Sequence, residues 1–474
     1  MIKVFLNNLY FRYDVYQIIN LFYALEDIKF VEEDEDVRIL VEQDDILISF
    51  NDDQLSYLFN IEFNKKETVK LAVFNYLKNK TGKDFPWGTL IGIRPSKIAL
   101  SLLNKGKMEE DIVEYYKEHF NASSEKAQLC IDVAKVENKF INKDKNTVSV
   151  YIGMPFCPTR CSYCSFAANP IAGFKSLVEP YLEALKKEIE STSRYINEKK
   201  LKIECVYFGG GTPTSVNDNQ FEDIMTSIYY NLVADKDVKE FTVECGRPDS
   251  ISFLKLQTMK NYNVHRISIN PQSMNEETLR KIGRRHSIED VVEKYNMARS
   301  IGFDNINMDV IVGLDGESLV QIQKTCSEIF KLDPDSITVH GLSIKRASKL
   351  HENIINEMPL EELSQSEINK MYNETFDLAK KLNMKPYYMY RQKNMFGNME
   401  NVGYSKPTKQ GIYNIQMIEE KQTIIACGAD AVSKVIFLDE NRIERFANVK
   451  DVKGYINRID EMISKKIQLL NSLY

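Results

Sequence analysis

Hydrophobic residues recur with two different spacings along the chain, and the change between them marks a boundary. Strand-like apolar runs at Ile2–Leu6 and Arg38–Phe50 come first. They are followed by a helical pattern with apolar residues at i, i+3, i+4, i+7 and i+8, from Val69 to Leu77. The polar stretch 142–146 interrupts this pattern. We therefore predict an N-terminal α+β accessory domain over residues 1–145.

After this break, short β-branched runs alternate with amphipathic helical stretches. One such stretch begins near Pro180 and carries Leu182, Leu185 and Ile189 on one face. The alternation predicts an α/β domain over residues 146–345, with parallel strands wound as a barrel or a partial barrel. In such folds the functional residues collect at the carboxyl ends of the strands. The six predicted strands are Thr147–Ile152, Cys205–Phe208, Glu240–Cys245, Arg266–Ile269, Ile306–Ile311 and Ser336–Leu342.

The alternation ends near Met358, so the rest of the chain is predicted to form a third region, residues 346–474. An acidic helical pattern covers Leu360–Leu382, and a terminal helix begins at about Val449. Between them, Val432–Leu438 and Arg442–Phe446 are typical of a hairpin. We therefore predict a mostly helical C-terminal domain.

Composition and charge narrow the class of protein. Apolar residues make up 43% of the 474 positions but occur in short runs, far below the ~20 residues that span a bilayer. The first residues lack the features of a signal peptide, so a cytoplasmic protein that does not interact with membranes is expected. The net charge of −6, with both signs interspersed, gives no electrostatic reason to expect nucleic acid as a partner.

Three cysteines form the most informative motif of the chain. Cys157, Cys161 and Cys164 follow the first predicted strand of the α/β domain with Cys-x3-Cys-x2-Cys spacing. Three thiolates are one ligand short of a closed zinc site, but they suit a 4Fe-4S cluster that keeps one iron open. An open iron can chelate S-adenosylmethionine, and one electron can then release a 5′-deoxyadenosyl radical. A zinc site with three cysteines and a histidine, or three unrelated buried thiols, are the alternatives.

A glycine-rich run, Phe208-Gly-Gly-Gly-Thr-Pro-Thr214, ends the second of these strands. Glycine lets a ligand lie directly on the backbone, so Gly210, Gly211 and Thr212 are candidate cofactor contacts. A phosphate loop is disfavoured because no Gly-Lys-Ser/Thr follows, and a simple tight turn is the remaining alternative. Beside the cysteine triplet, a site for the methionine end of S-adenosylmethionine is the preferred interpretation.

Polar residues that match the other groups of this cofactor stand at the ends of later strands. An acidic residue can meet the ammonium group, an arginine can pair with the carboxylate, and an amide and an acid can hold the ribose hydroxyls. The candidates are Glu244, Gln272, Arg284 and Asp309. Each of these residues also has an ordinary structural explanation. Arg284 could be a solvated surface arginine, and Asp309 could cap a helix.

These motifs, in order and spacing, resemble the radical S-adenosylmethionine (SAM) family of oxygen-independent coproporphyrinogen III dehydrogenases. The matching segments are MPFCPTRCSYC, FGGGTPT, Glu244, RISINPQS, IGRRH and NMDVIVGL, and the resemblance covers roughly Val148 to Leu342. The long N-terminal region and the segments YRQKNMFGNMENVGY and VHGLSIKRAS are similar to the HemZ-like branch.

The resemblance implies a partial (β/α)6 radical-SAM barrel and a role for each candidate residue. Cys157, Cys161 and Cys164 would carry the 4Fe-4S cluster. The methionine part of S-adenosylmethionine would meet Gly210, Gly211, Glu244 and Arg284, and the ribose would meet Gln272 and Asp309. Phe166 would lie beside the cluster and Tyr151 below it.

The implied function is oxidative decarboxylation of coproporphyrinogen III propionates to vinyl groups, which yields protoporphyrinogen IX in anaerobic haem biosynthesis. The implied protein is a monomer that takes electrons from a donor such as flavodoxin or ferredoxin. Two alternatives are a haem-binding chaperone with a retained cluster and another radical reaction on a porphyrin, such as methyl transfer or ring opening. Gly153, where the family has a histidine, and Phe166, where a fourth cysteine can stand, favour the chaperone.

The remaining polar residues give weaker signals. The five histidines include no pair with metal-ligand spacing, and His340 is expected to have a packing or hydrogen-bonding role. Four basic residues near the predicted mouth, Lys345, Arg346, Arg391 and Lys393, could pair with propionates. The simpler interpretation of these four is solvated surface charge.

Overall fold

The computed structural model describes residues 1–24, 27–50, 53–59, 63–166, 168–343, 363–392 and 395–474. By their contacts the residues form two compact units. The first comprises Met1–Lys135, Ser364–Asn369 and Tyr390–Glu400, and the second comprises Val136–Leu363, Lys370–Met389 and Asn401–Tyr474. The limits predicted from the sequence, 1–145, 146–345 and 346–474, stay a prediction.

The first unit contains a five-stranded mixed sheet in the order β2-β1-β3-β4-β5. Apolar residues alternate along its strands, so one face is buried under helices, as with Val4, Ile39 and Ile48. Helix α2 starts at a capping box formed by Asn64 and Glu67. The elements are β1 (Ile2–Leu6), α1 (Arg12–Phe22), β2 (Ile28–Phe30), β3 (Val37–Val41), β4 (Asp45–Phe50), β5 (Asp53–Leu58), α2 (Lys65–Thr81), α3 (Ser96–Asn104), α4 (Glu109–Phe120) and α5 (Ser124–Glu137).

The second part of the chain, from residue 136, has a mixed α/β fold with a large, mostly parallel sheet. The elements up to residue 343 are β6 (Thr147–Met154), β7 (Phe156–Cys157), β8 (Asn169–Pro170), α6 (Lys175–Glu198), β9 (Lys202–Gly210), α7 (Asp218–Ile228), β10 (Glu240–Gly246), α8 (Phe253–Asn261), β11 (Arg266–Ile269), α9 (Glu276–Lys281), α10 (Ile288–Ile301), β12 (Ile306–Val312), α11 (Leu319–Leu332) and β13 (Ser336–Gly341).

The elements that follow are α12 (Gln365–Lys381), β14 (Lys385–Tyr390), β15 (Asn401–Ser405), α13 (Ile412–Glu419), β16 (Thr423–Cys427), β17 (Val432–Phe437), β18 (Arg442–Ala447), α14 (Val452–Asn457) and α15 (Ile459–Leu470). The sheet has eleven strands in the order β14-β15-β13-β12-β11-β10-β9-β6-β16-β17-β18. From β13 to β6 all neighbours are parallel, and β16 also pairs parallel with β6. The carboxyl ends of these strands therefore lie on one edge of the sheet.

All six predicted strands of the α/β region are confirmed, and so is the hairpin of β17 and β18. The prediction of a mostly helical C-terminal region was wrong, because five strands of that region join the large sheet. Strands β15 and β16 are buried at every position, so they show no alternation of polar and apolar residues. A pattern search for half-buried strands misses such runs.

A buried ion pair links helix α6 to helix α15. Lys466 Nζ lies 2.8 Å from Glu188 Oε1, and the two side chains are 2% and 0% exposed. Glu188 also accepts hydrogen bonds from the Gly428 amide at 2.8 Å and from Asn448 Nδ2 at 2.9 Å. Because the Gly428 amide binds to Glu188, the ion pair also holds the loop that follows β16. No helix in the described residues combines the length and hydropathy needed to cross a membrane.

Candidate functional site

The three cysteines of the triplet come together in one loop at the carboxyl end of β6. Cys157 and Cys161 are buried and Cys164 is partly buried, and the three thiols lie close enough to influence one another electrostatically. Burial raises the pKa of the Cys157 thiol to about 12 and also raises the pKa of Cys164. A metal that binds them must therefore displace protons.

Each sulfur has a hydrogen-bond donor. Thr212 Oγ1 lies 3.4 Å from Cys157 Sγ, and the Phe166 amide donates to Cys164. The side chain of Phe166 is 67% exposed. Arg247 Nη1 lies 3.7 Å from Cys161 Sγ, and Arg284 donates to the same sulfur. The sulfurs are thus surrounded by groups that stabilise negative charge.

The glycine run lies directly against the cysteine loop. The amide of Gly211 donates to the Met154 carbonyl at 2.6 Å, and the amide of Thr212 donates to the Phe156 carbonyl at 2.8 Å. A Cβ atom at Gly211 would come within 2.6 Å of the Phe156 oxygen and 2.9 Å of Cys157 Sγ. Only glycine allows this approach, so the glycine run packs its backbone directly against the cysteine loop.

Glu244 stands at the end of β10, partly buried and in contact with the glycine run. It accepts hydrogen bonds from Tyr207 Oη and from the backbone of Gly210. Burial raises its pKa to about 7. The hydrogen bond from Tyr207 opposes this shift, and the nearby charge of Asp309 adds to it. A cation placed beside this carboxylate would restore its ionised form.

Asp309 and Gln272 lie on adjacent elements at the same edge. The Gln272 amide donates to the Asp309 carbonyl at 2.9 Å, and Gln272 takes up a left-handed backbone conformation with φ of +67°. Burial opposes ionisation of Asp309, but the adjacent His340, with Nε2 3.7 Å from Asp309 Oδ2, and a hydrogen bond from Asn307 outweigh it and lower the pKa. His340 therefore lies beside Asp309, and the packing or hydrogen-bonding role expected for it stays a prediction.

Tyr151 lies on β6 below the glycine run, in a stack of three tyrosines. Its ring is 6.2 Å from that of Tyr207 and 6.3 Å from that of Tyr413, while the rings of Tyr207 and Tyr413 are 4.3 Å apart. The Tyr151 hydroxyl would lie 3.2 Å from a Cβ at Gly210. The stack forms an aromatic floor beneath the glycine run.

All twelve candidate residues therefore belong to one connected region of the second unit. Two of its buried polar atoms, Gln272 Oε1 and Arg284 Nε, have no hydrogen-bond partner among the described residues. Unpartnered buried polar atoms are costly, and a bound polar ligand would satisfy them. A 4Fe-4S cluster that keeps one iron open needs three thiol ligands, and the cysteine loop supplies three.

The described residues contain no group of three His, Cys, Asp or Glu side chains arranged around a single metal ion. The thiols of an iron–sulfur cluster bind different irons and need not converge on one point. The assignment of Cys157, Cys161 and Cys164 as ligands stays a prediction.

Several residues of this region were missed in the sequence. Arg247 is 3% exposed, and Tyr163, between the second and third cysteines, accepts a hydrogen bond from Arg284 Nη2 at 3.2 Å. Asn270 accepts from Arg284 Nη1 through its carbonyl at 2.5 Å. Arg247 could have been identified from its position directly after β10, since the other candidates also follow strand ends.

Of the four basic residues that were considered as propionate partners, the structure describes Arg391. Arg391 belongs to the first unit, where it is buried. It donates to the carbonyls of Leu90 and Asn398 and lies 4.9 Å from the centre of the Trp87 ring. The solvated interpretation of Arg391 is therefore wrong, and its pairing with a propionate stays a prediction. Lys345, Arg346 and Lys393 lie outside the described residues.

Comparison with known proteins places these motifs in a family. Residues 151–329 match the model of the radical SAM superfamily. The chain is 40% identical over 414 residues to the oxygen-independent coproporphyrinogen-III oxidase-like protein HemZ of Bacillus subtilis, a match that covers 86% of this chain and 82% of that protein. It is 36% identical over 197 residues to the heme chaperone HemW of the same organism, covering 42% of this chain and 51% of HemW.

The fold is similar to that of a solved enzyme. The coproporphyrinogen III oxidase HemN from Escherichia coli, described as a radical SAM enzyme, superposes with a TM-score of 0.53 and 20% identity over 71% of this chain and 73% of HemN. The family implies a 4Fe-4S cluster and S-adenosylmethionine as cofactors. The chain belongs to the radical SAM superfamily and, within it, to the HemZ-like proteins related to HemN coproporphyrinogen oxidases and HemW haem chaperones.

Proposed function

We propose that this protein is a radical SAM enzyme that converts propionate side chains of coproporphyrinogen III to vinyl groups by oxidative decarboxylation. The observation that carries the proposal is the meeting of three thiols, a glycine run and unpartnered polar groups at one edge of a parallel sheet, the predicted partial barrel. The similarity to HemZ over most of the chain supports a tetrapyrrole substrate.

Different residues of the site would hold the two cofactors. Cys157, Cys161 and Cys164 would bind the cluster, and Gly210, Gly211 and Thr212 would lie against S-adenosylmethionine. When bound, the two cofactors supply one-electron chemistry that removes a hydrogen atom from carbon. The protein's own contribution is to bind, orient and shield the reactants.

The remaining polar groups fit distinct parts of S-adenosylmethionine. The Glu244 carboxylate would accept the ammonium group, while the unpartnered Nε of Arg284 would donate to the carboxylate. The unpartnered Oε1 of Gln272 and the carboxylate of Asp309 would accept hydrogen bonds from the ribose hydroxyls. The aromatic floor under Gly210 keeps water away from this side of the site.

The test is anaerobic reconstitution with iron and sulfide, followed by incubation with S-adenosylmethionine, dithionite and coproporphyrinogen III. We expect 5′-deoxyadenosine together with a porphyrinogen that has lost carbon dioxide, both identified by mass spectrometry. Flavodoxin or ferredoxin should replace dithionite as the electron donor. Formation of 5′-deoxyadenosine with a different mass change would instead indicate methyl transfer or ring opening.

A haem chaperone is the second candidate, favoured by the environment of Gly153. A Cβ at this position would lie 3.3 Å from the Tyr151 ring, and the Gly153 carbonyl accepts a hydrogen bond from Tyr181 Oη at 2.6 Å. The family pattern has a histidine at this position, and its imidazole would require the neighbouring Tyr151 ring to move. Stable retention of haem without formation of 5′-deoxyadenosine would support the chaperone and contradict the enzyme.

Glu244 gives the proposal a pH dependence that can be measured. Its carboxyl has a pKa of about 7 before a ligand binds, so it becomes protonated as the pH falls below 7. A neutral carboxyl cannot pair with the ammonium group of S-adenosylmethionine. We expect the affinity of the reconstituted protein to fall by roughly tenfold per pH unit below 7, as titration calorimetry can measure.

Two variants separate this effect from a general loss of structure. Glu244→Gln should bind S-adenosylmethionine about 10²-fold more weakly at pH 8, corresponding to the loss of a buried charge pair, and its affinity should no longer change with pH. Glu190→Gln, at an exposed position of α6, should keep the affinity and the pH profile of the unmodified protein. A pH profile in Glu244→Gln identical to that of the unmodified protein would rule out Glu244 as the titrating group.

A further inference from the structure

A buried arginine, Arg247, lies directly against the sulfur of Cys161 in the triplet. Strand β10 has an irregularity between Glu244 and Gly246, and Gly246 has a left-handed φ of +60°. This turn directs Arg247 toward the cysteine loop. Its Nη1 lies 2.8 Å from Thr159 Oγ1 and 3.7 Å from Cys161 Sγ.

The opposite edge of the guanidinium is bound by a carboxylate. Arg247 Nε and Nη2 donate to the two oxygens of Asp249 at 2.9 and 2.8 Å. This bidentate pair fixes the orientation of the guanidinium, because both contacts must break before it can rotate. Asp249 itself lies on the side of Arg247 that faces away from the sulfur.

The reduction potential of an iron–sulfur cluster depends on the hydrogen bonds to its sulfurs and on the charges around it. A buried guanidinium acts on such a centre with little screening by solvent. We propose that Arg247 and Asp249 set the reduction potential of the cluster, Arg247 raising it through Cys161 and Asp249 lowering it by offsetting the charge of Arg247. This inference rests on the proposed function, because Cys161 must bind iron.

The other charged groups near the loop make the contribution of this pair identifiable. Arg284 donates to Cys161 from a different element and would remain in every variant below. Arg160 lies near Cys164, where its charge opposes the rise in the pKa of the thiol, and it too would remain in every variant. His286 adds no positive charge, because burial and the neighbouring Arg284 hold its pKa at about 3.

Two substitutions in the full-length reconstituted protein should shift the potential in opposite directions. Arg247→Gln removes a positive charge and a donor to sulfur, so the reduced cluster loses stabilisation and the potential becomes more negative. Asp249→Asn leaves Arg247 without its counter-charge, so the potential becomes more positive. The measurement is a redox titration under anoxia, with the electron paramagnetic resonance signal of the reduced cluster as the readout.

Arg445→Gln is the matched control. Arg445 is half exposed on β18, three strands from β6 in the large sheet, and its loss should leave the potential unchanged. Damage to the loop would shift the potential in the same direction in Arg247→Gln and Asp249→Asn, or would lower the iron content in both. Shifts of equal sign, or no shift in either variant, overturn the inference.

Iron content separates failure of this inference from failure of the proposed function. If the unmodified protein binds no cluster, the proposed function is wrong and this inference falls with it. The unmodified protein could also bind a cluster while Arg247→Gln does not. In that case the reduction potentials of Arg247→Lys and Asp249→Asn decide whether the Arg247–Asp249 pair acts on the cluster. Arg247→Lys keeps the positive charge, so its reduction potential should stay close to that of the unmodified protein.

Discussion

Replacing Cys161 with alanine is expected to remove the iron–sulfur cluster from the protein. Cys161 is buried, its sulfur receives hydrogen bonds from two arginines, and no other cysteine follows Cys164 within the loop. With two thiolates left, two irons of the cluster would lack a protein ligand. Iron and sulfide analysis after anaerobic reconstitution, together with the absorption spectrum, would measure the loss.

The chain supplies a matched control for this experiment. Cys326 is a buried cysteine on α11, and burial raises the pKa of its thiol to about 12, as for Cys157. Cys326→Ala should keep the full iron content, because α11 is not part of the cysteine loop. Full iron in Cys161→Ala, or equal loss in both variants, would contradict the assignment of the triplet.

The second large effect is expected at the ion pair between α6 and α15. Lys466→Met would leave the Glu188 carboxylate buried without its cation and should lower the free energy of unfolding by about 3–5 kcal/mol. Lys466 Nζ also donates to Thr192 Oγ1 and the Ala426 carbonyl, both at 3.1 Å, and these acceptors would lose a donor. Urea unfolding followed by far-ultraviolet circular dichroism would measure the change.

The neighbouring residue provides the comparison. Lys465 is 54% exposed and pairs with Glu461 on the surface of α15. Lys465→Met should change the free energy of unfolding by less than about 1 kcal/mol, as is usual for surface ion pairs. Similar destabilisation in the two variants would mean that the buried pair has no special role.

The sequence predicted which residues come together at one edge of the sheet, because the fold follows a repeated rule. Parallel strands joined by helices place their carboxyl ends on one edge, so residues such as Glu244 and Asp309 could be expected to meet although they are far apart in the chain. The cysteine triplet and the glycine run follow the first two strands of this arrangement. Their spacing alone was enough to suggest a common site.

Other features depend on information that a pattern of hydrophobic residues does not contain. Arg247 reaches the cysteine loop through an irregularity in β10, and a one-residue shift of this kind cannot be recognised from alternation. Arg391 was expected at the surface because it is charged, but its burial depends on two backbone carbonyls and a tryptophan ring. Strand β16 was missed because both of its faces are covered.

The position of β16 also has a consequence for how the protein acquires its metal. Strand β6, which carries the cysteine loop, lies between β9 and β16, and Ser149 bonds to Gln422, 273 positions later. During translation the base of the loop therefore has only one neighbouring strand until β16 (Thr423–Cys427) has been synthesised. Completion of the cluster site would then wait for β16, and a nascent chain would keep its three thiols exposed to oxidation until that strand arrives.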